Sequence, residues 1–188
     1  MCTTTTQTEP APSTTCRLCA PWLVSVSLGR SHEDTALALV RNTGVLYRVP
    51  LLERSTNNAV IVDMVRRLAR DTRLTAAPLL LDITGTGAEA LSLFAPLPPH
   101  VVIASANPDH ACDWRFTAQQ LVQTMDALLA DRRFQIAKQL PQARRFALEL
   151  ESFAFPNGTP PLWRRPGIDD ASLFAVATAL AFAESSQA

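Results

Sequence analysis

Leu23-Val24-Ser25-Val26-Ser27-Leu28-Gly29 alternates apolar and small polar residues from Trp22 onward, which is the period of a β-strand. Thr35 to Arg41 and Val45 to Leu52 read as two further strands, and Asn42-Thr43-Gly44 between them is hairpin-turn chemistry. Three strands in succession predict an antiparallel meander. The pattern then changes to helical spacing. Asn57 or Asn58 can cap a helix running to about Asp71, with Val60, Ile61, Met64, Val65 and Leu68 on one stripe and Arg66, Arg67 and Arg70 turned outward. Leu79-Leu80-Leu81, between Pro78 and the glycines Gly85 and Gly87, reads as a strand buried on both faces, with Asp82 at its end. The glycines let the chain turn into a helix from about Thr86 to Phe94. His100 to Ala104 supplies a fifth strand, and Ser105 to Arg115 reads as loop.

Thr117 caps a helix to about Ala130 that carries Leu121, Val122, Met125, Leu128 and Leu129 inward. Phe134-Gln135-Ile136 is a short extended piece. A helix from Pro141 to about Ser152 follows, with Phe146, Leu148 and Leu150 as its apolar side. Residues 155–167 hold four prolines and two glycines, a long irregular loop, and a last helix opens Ile168-Asp169-Asp170 and runs apolar to about Ala183. Strand, helix, strand, helix, strand implies parallel pairing with right-handed crossovers. The expected fold is therefore α/β: a five-stranded mixed sheet, three strands in an antiparallel meander and two parallel, flanked by helices.

Composition sharpens this picture in three ways. Residues 1–21, rich in Thr, Pro, Ser and Gln, cannot bury enough apolar surface to offset ordering entropy and are expected to be a disordered tail, leaving 22–185 as one domain. Over the 188 residues, 47% hydrophobic and 18% charged, 17 Lys+Arg balance 17 Asp+Glu, so any anionic partner must meet a local basic patch. Three of the four cysteines, Cys2, Cys16 and Cys19, fall in the tail and the fourth is Cys112; Cys16-x-x-Cys19 lacks the second pair of a zinc site, and reduced thiols are the expectation. No apolar run is long enough for a membrane helix and no signal segment opens the chain, which reads as soluble and intracellular.

The candidate chemistry is carboxylate chemistry. Asp82 ends a central strand, where open α/β sheets place their ligands, although a turn or capping aspartate would look the same. Asp169 and Asp170 open the last helix, where acids also serve as caps against the helix dipole. Gly85-x-Gly87-x-x-Ala90 after a strand fits a dinucleotide fingerprint with Asp109 as ribose partner, but three strands precede it and a carboxylate stands where pyrophosphate would approach.

Four stretches in order carry a family resemblance. They are Val24 to Gly29 followed by Asp34-Thr35-Ala36-Leu37; Leu81 to Gly87; Trp114 to Leu129 with Asp131 to Ile136 and Ala147 to Phe153; and Gly167 to Leu173 running into Ala177 to Ala181. Together they resemble the C-terminal nuclease domain of the tailed-phage terminase large subunit, a ribonuclease H-like fold, over about residues 22 to 184. The resemblance implies a metal-dependent endodeoxyribonuclease that hydrolyses duplex DNA with two Mg²⁺ or Mn²⁺ ions, with Asp82, Asp169 and Asp170 as metal ligands and catalytic residues. It also implies a phage or prophage protein of the bacterial cytoplasm. Its partners would be DNA and a separate packaging ATPase, small terminase subunit or portal, because no Walker-type phosphate loop is present.

One departure bears on catalysis. The family's first-strand aspartate, the ligand that bridges both metals, is replaced by Ser27, and Ser25 is serine too; Glu33 or Asp34 beside that strand could take over the role. The alternative expectation is a ribonuclease H-like DNA-binding or assembly module without catalysis. DNA contacts are expected from Arg30, Arg115, Arg164 and Arg165 in loops flanking the acidic edge.

Overall fold

The alternation in the first strand separates two buried layers rather than core from solvent. In the computed structural model, which describes residues 20–29, 34–96, 100–153 and 170–186, every residue from Leu23 to Leu28 is buried. Strand β1 (Trp22–Ser27) pairs antiparallel with β2 (Thr35–Asn42), and β2 with β3 (Tyr47–Ser55), giving the expected meander. Strand β4 (Leu79–Asp82) lies parallel between β1 and β5 (Val101–Ser105). The sheet has seven strands rather than five, in the order β6-β5-β4-β1-β2-β3-β7. Strand β6 (Trp114–Arg115) extends the β5 edge out of the segment read as loop, and β7 (Phe134–Ile136) docks parallel on β3.

Helix α4 (Ala171–Ser185) covers one face of this sheet. It is buried from Ala171 through Ala181 and meets Leu23, Ala36, Ala38, Leu52 and Leu80 in a single cluster, which α2 (Ala118–Ala130) joins through Leu121, Met125 and Leu128. Alanines let the helix approach the sheet closely, while Leu173, Phe174, Val176 and Leu180 each contribute about 1.5–3 kcal/mol by complete burial. Helix α1 (Asn58–Ala69) covers the other face through Ile61, Val62 and Val65, against Val24, Val26, Leu28, Leu37, Leu39 and Leu81.

Local chemistry sets the boundaries. Asn57 caps α1 by accepting from the Ala59 amide at 3.0 Å, and Thr117 with Gln120 forms a reciprocal capping box on α2. Gly44, at φ 84°, makes the meander turn, so β3 starts at Tyr47 and Val45 is 76% exposed at the tip. Leu39 pairs with Leu51 and Arg41 with Arg48, so Val40 alone faces Val49 and Pro50. This bulge tolerates a proline inside a strand and keeps Tyr47, Val49 and Leu52 on one buried side.

Several expectations need correction. Val60, Leu129 and Leu148, all read as inward, are exposed at 47%, 39% and 58%. In α3 (Ala143–Phe153) Phe146 and Leu150 stand one turn apart, and Leu148 falls roughly half a turn away from both. Pro141 precedes α3 by two residues instead of opening it. The helix expected from Thr86 is a 3₁₀ helix over Ala88–Phe94, because Gly87 at φ 73° breaks the helical path before it. Most of the proposed tail and the whole of 155–167 lie outside the described residues. Among the described residues no helix is long and apolar enough to cross a membrane.

Candidate functional site

Strand register brings the acidic edge together. Arg54, Ala36, Ser27, Asp82 and Ala104 form one row across β3, β2, β1, β4 and β5. The row faces α4, because Ala36, Leu80 and Ala104 belong to the cluster that α4 completes. Asp82 is 3% exposed. Its Oδ1 accepts from the Thr84 amide at 2.9 Å and the Thr84 hydroxyl at 2.5 Å, while among the described residues its Oδ2 accepts only a long 3.4 Å contact from the Ser27 hydroxyl. Thr84 Oγ1 also accepts from the Ala106 amide at 2.9 Å, so the ends of β4 and β5 are tied through the same turn.

Burial pushes the Asp82 carboxyl above its ordinary value; hydrogen bonds from Thr84 and Ser27, and the nearby His110, offset this only in part. A carboxyl whose folded value stands above 3.8 contributes stability at low pH that is lost as pH rises through the folded value. In metal-free buffer, the melting temperature of the protein minus that of Asp82→Asn is therefore expected to fall between about pH 4 and pH 7. A difference that stays flat or rises across that range would show that the carboxylate is not desolvated.

Asp170 stands at the N-cap of α4, 7% exposed, and its carbonyl accepts from the Phe174 amide, yet its side chain makes no cap bond. That duty falls to Glu149 of α3. Glu149 Oε2 accepts from the Leu173 amide at 2.8 Å and its Oε1 from Arg54 Nη1 at 2.8 Å, with the Glu149 side chain 4% and that of Arg54 6% exposed. Arg54 also holds Asp34 in an ion pair. A chain of charges thus links the start of β2, the end of β3, α3 and the first turn of α4, at the same end of the sheet as Asp82.

Ser27 and Asp82, both candidates from the sequence, are register neighbours in contact. Asp170 lies at the first turn of α4, and Asp34 is balanced by Arg54. Arg115 is exposed on β6 and donates through its fork to the carbonyls of Asn107 at 2.6 Å and His110 at 2.9 Å. Arg30, Glu33, Arg164, Arg165 and Asp169, with Cys2, Cys16 and Cys19, lie outside the described residues. Cys112 is a free thiol.

Arg54, Glu149 and His110 were not singled out by sequence reasoning. A charged residue at a strand end and another on a helix carry no local signal that they meet 95 positions apart. His110 contacts Ser105 Oγ through Nδ1 at 3.0 Å and Asn107 Nδ2 through Nε2 at 3.1 Å. Among the described residues no three His, Cys, Asp or Glu side chains form a group that could hold a metal ion. The dinucleotide reading finds no α-helix N-terminus after Gly87, only the 3₁₀ helix, and Asp109 is exposed on a turn.

No family model and no curated protein matches the chain. Solved structures do. The large terminase nuclease of thermophilic phage G20c with bound magnesium aligns at TM-score 0.62 and 14% identity, covering 85% of this chain and 79% of that one. The P22 large terminase nuclease domain aligns at TM-score 0.56 and 12% identity, covering 97% and 92%. The fold is that of a terminase nuclease domain. The human cytomegalovirus terminase nuclease domain, soaked with manganese, aligns at TM-score 0.51 and 12% identity over 84% of this chain and 80% of that one. The terminase-nuclease fold agrees with the expectation drawn from the four stretches.

Proposed function

We propose that this chain is a nuclease-type module of a phage DNA-packaging machine, which engages duplex DNA at the carboxyl ends of β1 and β4 and holds a divalent cation there. The observation that carries this reading is Asp82, a buried carboxylate at the end of a central strand whose Oδ2 receives, from the described residues, one long hydrogen bond. Such a group costs free energy when charged and alone, and a hard cation reverses that cost. Asp82 would hold Mg²⁺ or Mn²⁺ together with Asp170, whose side chain does not cap its own helix, and with Asp169. When bound, such an ion makes water nucleophilic and relieves charge on the leaving oxygen of a phosphodiester.

The donor set fits one ion better than two. Ser27, a neutral hydroxyl 1% exposed, occupies the strand position where a bridging carboxylate would stand, so cleavage would be weak. Asp34 is a poor replacement because Arg54 already balances it, which leaves Glu33 as the alternative acid. The Ser27–Asp82 contact equally favours a second reading, a DNA-binding or assembly module without catalysis. Arg115, preorganised by two carbonyls, would contact the DNA backbone with Arg30, Arg164 and Arg165. The partners of such a module would be a packaging ATPase, small terminase subunit or portal in the cytoplasm of a bacterial host.

Calorimetric titration with Mn²⁺ tests the cation reading. Heat of binding is expected from the parent and is expected to vanish in Asp82→Asn. A silent parent, or an isotherm unchanged by the substitution, removes Asp82 from any metal site.

A further inference from the structure

The register that assembles the acidic edge builds a second, differently charged row at the opposite end of the same strands. Trp22 of β1 pairs with Arg41 of β2, Arg41 with Arg48 of β3, and Arg48 with Gln135 of β7. Register partners share a face, so an indole, two guanidiniums and a primary amide stand side by side across four strands, spanning roughly 14 Å at about 4.8 Å per strand. Arg41, Arg48 and Gln135 are exposed, and Trp22 is half-buried against the core on the α1 side. This is the face opposite to that of Asp82.

Two like charges directly opposite across strands repel, and sheets avoid the arrangement unless a counter-charge is supplied. Among the described residues the fold supplies none. Neither arginine forms an ion pair with a described residue, and what steadies Arg41 is the Trp22 ring, whose centroid lies 5.4 Å from its guanidinium. A guanidinium braced on an aromatic face with a second one as its strand neighbour sets two forked donors side by side, and such forks suit phosphate oxygens.

We propose that the Trp22–Arg41–Arg48–Gln135 row is a second phosphodiester-binding surface, contacting nucleic-acid backbone at a distance from the Asp82 edge. The two arginines would take successive phosphates, Gln135 would donate to a backbone oxygen, and Trp22 would hold Arg41 in place. A polymer bound at both ends of the sheet gains affinity from two weak patches without base contacts, so the surface confers length dependence rather than sequence preference. The inference rests on the reading that this chain engages DNA, but not on the cation site.

The test is fluorescence anisotropy with a labelled duplex and a labelled single strand of equal length, in EDTA, from about 50 to 200 mM salt. The parent is expected to bind with a steep salt dependence. The doubly substituted Arg41→Gln/Arg48→Gln protein is expected to lose about 1.8 of the log–log slope on duplex, or about 1.4 if the surface takes single strands. Its melting temperature should be unchanged or higher, because repulsion has been removed. An unchanged slope in both arms overturns the proposal, as does a parent that binds neither probe. Arg115→Gln separates this surface from the acidic edge. If Arg115→Gln weakens binding and the double variant does not, the row fails while the edge reading stands; the reverse result supports the row and removes the DNA contact from the edge.

Discussion

Ser27→Asp is expected to raise Mn²⁺-dependent nicking of supercoiled plasmid about a hundredfold or more over the parent. A correctly placed metal-bridging carboxylate supplies several kcal/mol of transition-state charge stabilisation, and each 1.36 kcal/mol is tenfold in rate. The placement follows from register. Ser27 is the strand neighbour of Asp82 and its hydroxyl already lies 3.4 Å from Oδ2, so a carboxylate at 27 would face the same gap and bring the charge and second oxygen that serine lacks. Without a cation, two buried carboxylates at that distance repel and the variant should melt below the parent; Mn²⁺ should reverse the order. If neither protein nicks while both remain folded, the non-catalytic reading replaces the nuclease. If the parent already cleaves and Glu33→Gln abolishes it, the acid before β2 has taken the bridging role.

Glu149→Ala is expected to cost about 3–5 kcal/mol of stability, read as a lowered midpoint in urea. The substitution removes one acidic partner of Arg54, which is 6% exposed, and strips the Leu173 amide of its Glu149 acceptor at the start of α4. Removing one member of a buried pair is far more damaging than replacing both. Arg54→Met combined with Glu149→Leu should therefore recover much of the loss. A single Glu149→Ala change within about 1 kcal/mol of the parent would show that the network is not coupled to folding.

Much of the fold was legible because its elements carry periodic signals. The β1 alternation, the three leucines of β4, and the Thr117 and Asn57 caps all act within a few residues of where they are read. What escaped did so for definite reasons. A two-residue strand such as β6 has no periodicity to detect, and its place at the edge is set by Asp113, which bonds Ile103 through both backbone and side chain. The alternation of β1 does not by itself say what covers its serines, and they lie buried under α4, a helix apolar all round that demands a partner on every side. For the candidate site, Asp82 was visible as a strand-end carboxylate. The Arg54–Glu149 link was not, since only the folded chain brings β3 to α3.

Helix α4 also constrains how the protein can be made. Its partners on β1, β2, β3 and β4 end at Asp82, yet the helix itself is not complete until Ser185. At about 5–20 residues per second a ribosome needs on the order of ten seconds to synthesise what lies between. Throughout that interval Leu23, Ala38, Val40 and Leu52 lack the helix that covers them in the finished fold. A meander formed before α4 emerges would expose that face to any holding chaperone, and slow codons after β4 would lengthen the exposure.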